Sequence, residues 1–196
     1  MARVKLSNEL KTALSGLTPK EKDKLIFRLL PKDSKLVDKL IFQLLEQGLT
    51  LDERRQNLHD SILRVLARFP RAYYSPGYLT LELRDISGRI TYHKDITGDK
   101  LGEIELNYLM LTEIIEKNLE HLKEEGVYSS QKFNEYVVRR IKKLLTLTSN
   151  LHEDYILEFE DSMVQLGEML SQIPSMKSTI KELSLDISQL KNGELP

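Results

Sequence analysis

The sequence predicts an all-α fold, an antiparallel helical bundle of about eight or nine helices that form a single domain over residues 1–196. Apolar residues recur at intervals of three and four along most of the chain, which is the helical period. Capping residues, prolines and glycines separate these stretches by short connections, and short connections favour antiparallel neighbours. The 196 residues are 40% hydrophobic and 30% charged, a composition that supports one globular core.

The region 1–69 is predicted to contain short helices, the first over 8–15. The motif Thr18-Pro19-Lys20-Glu21 is a capping box with proline in the first turn, so a second helix begins there. Pro31 ends that helix, because proline lacks the amide hydrogen and clashes with the preceding turn. Asp33 or Ser34 begins the next helix.

The octapeptide DKLIFRLL at 23–30 nearly recurs as DKLIFQLL at 38–45. A helix-pair repeat needs about 34 to 47 residues per unit, so this spacing does not predict a repeat array. We interpret the similarity as two helices that need the same buried apolar face. Gly48 ends the second helix, and Thr50 with Glu53 forms another capping box.

The segment 78–93 fits two structures. Apolar residues at helical spacing from Leu79 to Ile90 predict a helix. Alternating leucines before Ser87-Gly88 are also typical of a β-hairpin. We prefer the helix, because the apolar spacing continues through that dipeptide.

Residues 101–173 are predicted to form a bundle of long helices. The helix over 101–125 has the most regular apolar spacing and is expected to be the central, buried one. The next helix runs over about 130–147. Asn150, with Glu153 three residues later, predicts a capping box for a further helix.

The C-terminal part is predicted to contain one more helical segment, MKSTIKELSLDISQL at 176–190. Pro174 separates it from the bundle. The last residues, 192–196, are expected to be a frayed tail.

Charge is distributed unevenly along the chain. Residues 1–100 contain 19 Lys and Arg and 13 Asp and Glu, whereas residues 101–196 contain 10 and 17. Such polarity suits the docking of a partner or pairing with a second copy. The alternative is that the two ends fold against one another and neutralise each other.

The composition predicts a cytoplasmic protein. The chain has no cysteine, which excludes disulfides and thiolate metal sites. The N-terminus is charged and lacks the apolar region of a signal peptide. No apolar run is long enough to span a membrane.

The sequence does not favour nucleic-acid binding. The basic run Arg139, Arg140, Lys142 and Lys143 is explained more simply by pairing with acidic residues of the following helix. The net charge of −1 provides no general attraction to phosphate. The four histidines lack the Glu-x-x-His and HExxH spacings of helical metal sites.

Two pairs of carboxylates suggest a metal site. Glu113 and Glu116 share one helix face, as do Glu158 and Asp161, because residues three apart are neighbours on a helix. Two such faces brought together would hold Mg²⁺ against a triphosphate. Glu82 and Asp85 are possible substitutes for one of the pairs. The alternative is that Glu113 and Glu116 belong to the solvated face of an amphipathic helix.

This pattern resembles the all-α nucleoside triphosphate pyrophosphohydrolases, including their dimeric dUTP-hydrolysing branch, whose metal site pairs an E-x-x-E helix with an E-x-x-D helix. The resemblance implies that Glu113, Glu116, Glu158 and Asp161 bind a metal that polarises the phosphates and helps to generate the attacking hydroxide. The sequence departs from that family because 41 residues separate the two motifs. This long connection leaves open whether the two faces meet.

Three further stretches, LTPKEKDKLIFRLL, SPGYLTLELRDISG and HKDITGDKLGEIELNYL, are similar to a set of short uncharacterised all-helical bacterial proteins. Some of those proteins carry the description dUTP nucleotidohydrolase. The similarity covers residues 1–170, and the three stretches contain no known catalytic motif.

Two functions follow as hypotheses. The first is a non-enzymatic helical interaction or structural module that needs no cofactor and binds a protein partner or a second copy of itself. It rests on the observation that packing and capping account for nearly every conspicuous residue. The alternative is a Mg²⁺-dependent nucleoside triphosphate pyrophosphohydrolase acting on a dUTP-like nucleotide, with no catalytic residue assigned beyond the metal ligands.

Overall fold

The computed structural model describes residues 5–68 and 75–195 of the chain. Every regular element within these ranges is helical, which confirms the all-α prediction. The chain divides into two units, Met1–Leu49 and Thr50–Pro196. The single domain over 1–196 stays a prediction.

The described part of the N-terminal unit contains three α-helices: α1 (Asn8–Ser15), α2 (Pro19–Leu29) and α3 (Ser34–Leu40). The predicted capping box of α2 is present, because Thr18 accepts from the Glu21 amide and the Glu21 carboxylate accepts from the Thr18 amide at 2.9 Å. Pro31 lies in the 3₁₀ turn that follows α2. Asp33 begins α3 by accepting from the backbone amide of Leu36 at 3.0 Å.

The near-repeated octapeptide does not form two buried faces. Its second copy leaves the α-helical path and forms a π-helical turn over Ile41–Leu45. Within the described residues of this unit only Phe42 is a buried apolar side chain, while Phe27 is 70% and Leu45 76% exposed. The predicted shared buried face is therefore wrong, because a unit this small cannot cover the apolar faces of both helices.

The described part of the C-terminal unit contains eight α-helices, α4 to α11. They are α4 (Leu51–Leu66), α5 (Pro76–Thr97), α6 (Lys100–Glu124), α7 (Val127–Thr148), α8 (Glu153–Ile156), α9 (Glu160–Ser171), α10 (Lys177–Glu182) and α11 (Ile187–Lys191). Short 3₁₀ turns join α8 to α9 and precede α10.

The segment 78–93 is helical, as the continuous apolar spacing predicted. Ser75 caps α5 by accepting from the amide of Tyr78, and the following proline occupies the first turn. Gly88 does not interrupt the helix, and a β-carbon there would contact nothing. α5 ends at Gly98, whose φ of +78° is a left-handed conformation that suits glycine.

Helix α6 is the central helix of this unit, as predicted. It packs against α4, α5, α7 and α9. Its apolar residues are buried at the helical spacing seen in the sequence, and they include Ile104, Met110, Leu111, Ile114, Ile115 and Leu122. Burial of each such side chain contributes about 1.5–3 kcal/mol, so this helix organises the core.

Two predicted capping boxes are not formed. The side chain of Thr50 makes no capping hydrogen bond to α4. Asn150 does not cap the next helix either, because its side-chain amide donates to the carbonyl of Thr146 at 2.6 Å, at the end of α7. His152 caps α8 instead by accepting from the amide of Asp154. α7 is longer than predicted, and Asn150, which was expected to begin the next helix, instead bonds to the end of α7.

The predicted C-terminal helix is broken into α10 and α11. Ser184, with a φ of +51°, interrupts it. α11 packs closely on α9, and a β-carbon on Gly167 would lie 2.9 Å from the backbone nitrogen of Lys191. Leu195 packs against the core, so the prediction of a frayed tail is wrong for 192–195. Pro196 lies outside the described residues.

Candidate functional site

A cleft of about 690 Å³ opens in the C-terminal unit between α4, α6 and residues 158–165. This volume is typical of a small-molecule site. Its charged lining consists of Asp52, Arg55 and His59 from α4, Glu105, Glu113 and Glu116 from α6, and Glu158. Five carboxylates therefore face one arginine and one histidine.

Three of the four predicted metal ligands line this cleft. Glu113, Glu116 and Glu158 reach it from α6 and from the turn before α9, because these elements pack together despite their separation in the sequence. Asp161 is exposed and is not among the lining residues. Within residues 5–68 and 75–195, no group of three or more acidic or histidine side chains is arranged to hold a metal ion. The metal site stays a prediction.

The carboxylates of the cleft differ in their contacts. Glu113 forms an ion pair with Lys117 one turn further along α6. Glu116 accepts a long hydrogen bond of 3.5 Å from the amide of Gln165 on α9. Glu82 and Asp85, the possible substitutes, lie on α5 and do not line the cleft.

Arg55 is held at the edge of the cleft by two carboxylates. Its Nε and Nη2 atoms both donate to Asp99 at 2.8 Å, and Nη1 donates to Glu105 at 3.1 Å. This bidentate geometry orients the planar guanidinium as well as neutralising it. Arg55 thus serves mainly to join α4 to the start of α6.

Asp99 accepts hydrogen bonds from three different residues. Besides Arg55, it accepts from Nε2 of His93 at 3.2 Å and from the amide of Gly102 at 2.8 Å, which makes it the N-cap of α6. Burial by itself raises the pKa of Asp99. The hydrogen bonds from His93, Arg55 and Gly102 lower the pKa by a larger amount, so that it falls from its ordinary value of 3.8 to about 2. Asp99 is therefore ionised at neutral pH.

The sequence analysis did not identify this network. A β-carbon on Gly102 would lie 2.7 Å from Nε of Arg55 and would also collide with the Asp99 carboxylate, so glycine is needed there. The signal in the sequence was Thr97-Gly98-Asp99, which combines a glycine helix end with an acidic N-cap. The partner, Arg55, lies 44 residues away and could not be inferred from that motif.

An aromatic pair forms part of the cleft wall. The rings of Tyr108 and Phe159 are stacked with centroids 5.2 Å apart. Both side chains are buried, and burial raises the pKa of the Tyr108 hydroxyl, which lies 3.2 Å from Oγ1 of Thr148. The cleft thus combines an apolar wall with an acidic rim.

The basic run of α7 has partners other than the predicted ones. Arg140 donates to the side-chain oxygen of Asn107 at 3.0 Å, and Lys143 lies 3.8 Å from Glu103. Lys142 donates to a backbone carbonyl near the C-terminus. These three residues of the run therefore contact α6 and the C-terminal segment.

No protein-family model matches the chain, and no significant match exists among curated proteins or among solved structures. The class that the fold and cleft define is an all-α helical protein with an acidic, partly aromatic cleft. None of the described helices combines the length and apolar character needed to cross a bilayer.

Proposed function

We propose that this protein is a non-enzymatic helical interaction module, and that its N-terminal unit pairs with the same unit of a second copy. The observation that carries this proposal is the exposed apolar surface of that unit. Of the sixteen large hydrophobic side chains exposed in the described residues, nine lie within residues 5–49. Soluble monomers rarely expose so much apolar surface in so short a segment.

The small size of the unit supports the same conclusion. With Phe42 as its one buried apolar residue among those described, the unit buries little hydrophobic surface of its own. A segment of about 50 residues with so small a core needs further contacts to be stable. Pairing with another surface would supply them.

The near-repeated octapeptide favours a second copy as the partner. A two-fold interface uses the same patch on both subunits, so the patch must complement itself. The two copies of the octapeptide, one in α2 and one in α3 with the π-helical turn that follows it, contain nearly the same apolar residues, and each also contains one adjacent Asp-Lys pair, Asp23-Lys24 and Asp38-Lys39. Two such faces can therefore meet with apolar residues against each other and opposite charges in reach.

Sedimentation velocity over a range of protein concentrations tests this proposal. We expect a reversible dimer whose dissociation constant is raised at least about 100-fold by Leu45→Ser, because each of the two copies would lose a buried leucine worth about 1.5–3 kcal/mol. Leu81→Ser is the matched control, since Leu81 is 61% exposed on α5 and lies in the other unit. A chain that stays monomeric, or a dimer weakened equally by both substitutions, would contradict the proposal.

A second candidate function rests on the cleft. Glu113, Glu116 and Glu158 line one cavity of about 690 Å³, which favours a Mg²⁺-dependent pyrophosphohydrolase acting on a dUTP-like nucleotide. The resemblance of the carboxylate pattern to the all-α pyrophosphohydrolases supports the same reading. Under this proposal the cavity would hold the triphosphate, and the three carboxylates, which are not arranged as a metal site in the described residues, would converge on a metal that enters with the triphosphate and polarises it.

Thermal unfolding with Mg²⁺ or Mn²⁺ and a non-hydrolysable dUTP analogue tests the second candidate. A ligand at 100 times its dissociation constant stabilises the folded state by about 2.7 kcal/mol, which raises Tm by roughly 5–10 °C for a chain of this size. Glu116→Gln should abolish the shift, while Glu124→Gln, an exposed position on the same helix, should retain it. No metal-dependent shift in the unmodified protein would count against the enzyme.

A further inference from the structure

The cleft between α4, α6 and residues 158–165 has a surplus of negative charge. Arg55 is the one guanidinium among the described residues that line it. Three carboxylates act on Arg55, because Asp99 and Glu105 accept its hydrogen bonds and Asp52 adds its negative charge nearby. The positive charge of Arg55 is therefore more than compensated. None of it is left to balance the other carboxylates of the cleft.

Two of those carboxylates have no cationic partner within residues 5–68 and 75–195. Glu116 accepts a long hydrogen bond of 3.5 Å from the neutral amide of Gln165. Glu158 forms neither an ion pair nor a hydrogen bond within these ranges. Both side chains are exposed at the cleft, so each brings a negative charge that the described part of the chain does not neutralise.

The carboxylates are spread along the cleft. Glu105, Leu109, Thr112 and Glu116 recur at intervals of three and four residues, so they lie along one face of α6. A helix rises about 1.5 Å per residue, which places Glu105 and Glu116 about 16 Å apart along its axis. In the described residues, no three acidic or histidine side chains converge as a metal site requires. This arrangement suits a ligand whose positive charges are several and separated.

Apolar side chains lie among these charges. Leu109 and the stacked rings of Tyr108 and Phe159 line the same cavity of about 690 Å³. Methylene groups are stabilised when they leave water for such a surface. The hydroxyls of Thr112 and Ser162 also line the cavity and can accept hydrogen bonds from an ammonium group. The cleft therefore offers contacts to both the charged and the apolar parts of an organic cation.

We propose that this cleft binds an aliphatic polyamine, a chain of methylene groups that carries several ammonium groups. The ammonium groups pair with Asp52, Glu116 and Glu158, and the methylene groups lie against the apolar side chains of the cleft. Residues 101–196 contain 10 Lys and Arg and 17 Asp and Glu, so the acidic half of the chain also attracts such a cation at longer range. The site lies wholly in the C-terminal unit, so it does not depend on pairing through the N-terminal unit. It also gives the cleft a different occupant from a metal-bound nucleotide.

Isothermal titration of the full-length protein at constant ionic strength tests this site. The probes are spermidine, butylamine and Mg²⁺, and spermidine should bind most tightly because it combines several charges with methylene groups. The double variant Glu116→Gln, Glu158→Gln should weaken spermidine binding about fivefold or more, as expected for the loss of two exposed charge pairs. The matched control is Glu124→Gln, Glu153→Gln, which changes the net charge equally at two exposed positions that do not line the cleft.

Each result decides for or against the polyamine site. Binding of spermidine no tighter than about 1 mM would overturn the proposal. Equally tight binding of butylamine would overturn the requirement for several charges. Equally tight binding of Mg²⁺ would overturn the organic cation in favour of a metal ion. An equal loss in the control variant would overturn the location, because the effect would then follow from net charge alone.

Discussion

Replacing Asp99 with asparagine tests the network that joins α4, α5 and α6. The substitution preserves size and still allows the side chain to cap α6, but it removes the negative charge that Arg55 and His93 contact. The new amide group would also direct donors toward the donors of Arg55. The variant should therefore be less stable although the shape of the site is retained.

The pKa of Asp99 gives the size of this effect. The carboxylate has an ordinary pKa of 3.8 and a pKa of about 2 in the folded protein. One pKa unit corresponds to about 1.4 kcal/mol, so the ionised form contributes roughly 2 kcal/mol to the free energy of unfolding at neutral pH. Because the pKa is lowered on folding, this contribution is present above about pH 4 and is lost as the pH falls toward 2.

Urea denaturation followed by circular dichroism between about pH 7 and pH 2.5 measures the effect. We expect the free energy of unfolding of the original protein to be roughly 2 kcal/mol higher than that of Asp99→Asn at neutral pH. This difference should become smaller below about pH 4. Asp85→Asn is the control, since Asp85 is exposed on α5. A difference below about 0.5 kcal/mol at pH 7, or one that does not change with pH, would refute the reasoning.

Three further substitutions test packing and capping, each by urea denaturation. Gly102→Ala should lower the free energy of unfolding by about 2 kcal/mol, because the new β-carbon displaces the Asp99 carboxylate. This loss outweighs the gain of about 1 kcal/mol that alanine usually gives over glycine in a helix. A more stable variant would contradict this prediction. Gly167→Ala should destabilise by about 1–3 kcal/mol through overpacking against the backbone of Lys191, and unchanged stability would show that α11 moves freely. Thr18→Ala should cost about 1 kcal/mol of N-terminal helix stability, with Thr18→Ser as the neutral control.

Local signals in the sequence predicted several of the helices. The capping box at Thr18 and the helix end at Pro31 depend only on residues a few positions apart, so they can be read without a tertiary structure. The predicted capping box at Asn150 is wrong because the same residue type can serve the end of the preceding helix, and packing decides which end uses it. The predicted capping box at Thr50 is also absent.

The candidate site was only partly predictable. Helical spacing correctly placed Glu113 and Glu116 on one face, and this face lines the cleft. Helical spacing could not place Glu158 beside them or exclude Asp161, since that depends on how α9 packs against α6. It also could not assign a partner to Arg55, because the partner lies on a distant segment.

The sequence alone therefore determined the helical class and the approximate positions of the longer helices, because periodicity and capping act over one or two turns. Only the tertiary structure decided which apolar faces are buried. The octapeptide at 23–30 and its near-copy at 38–45 have the pattern of core helices, yet the N-terminal unit leaves most of these side chains exposed. Burial depends on which surfaces are available to cover a face, and the period of one helix contains no information about them.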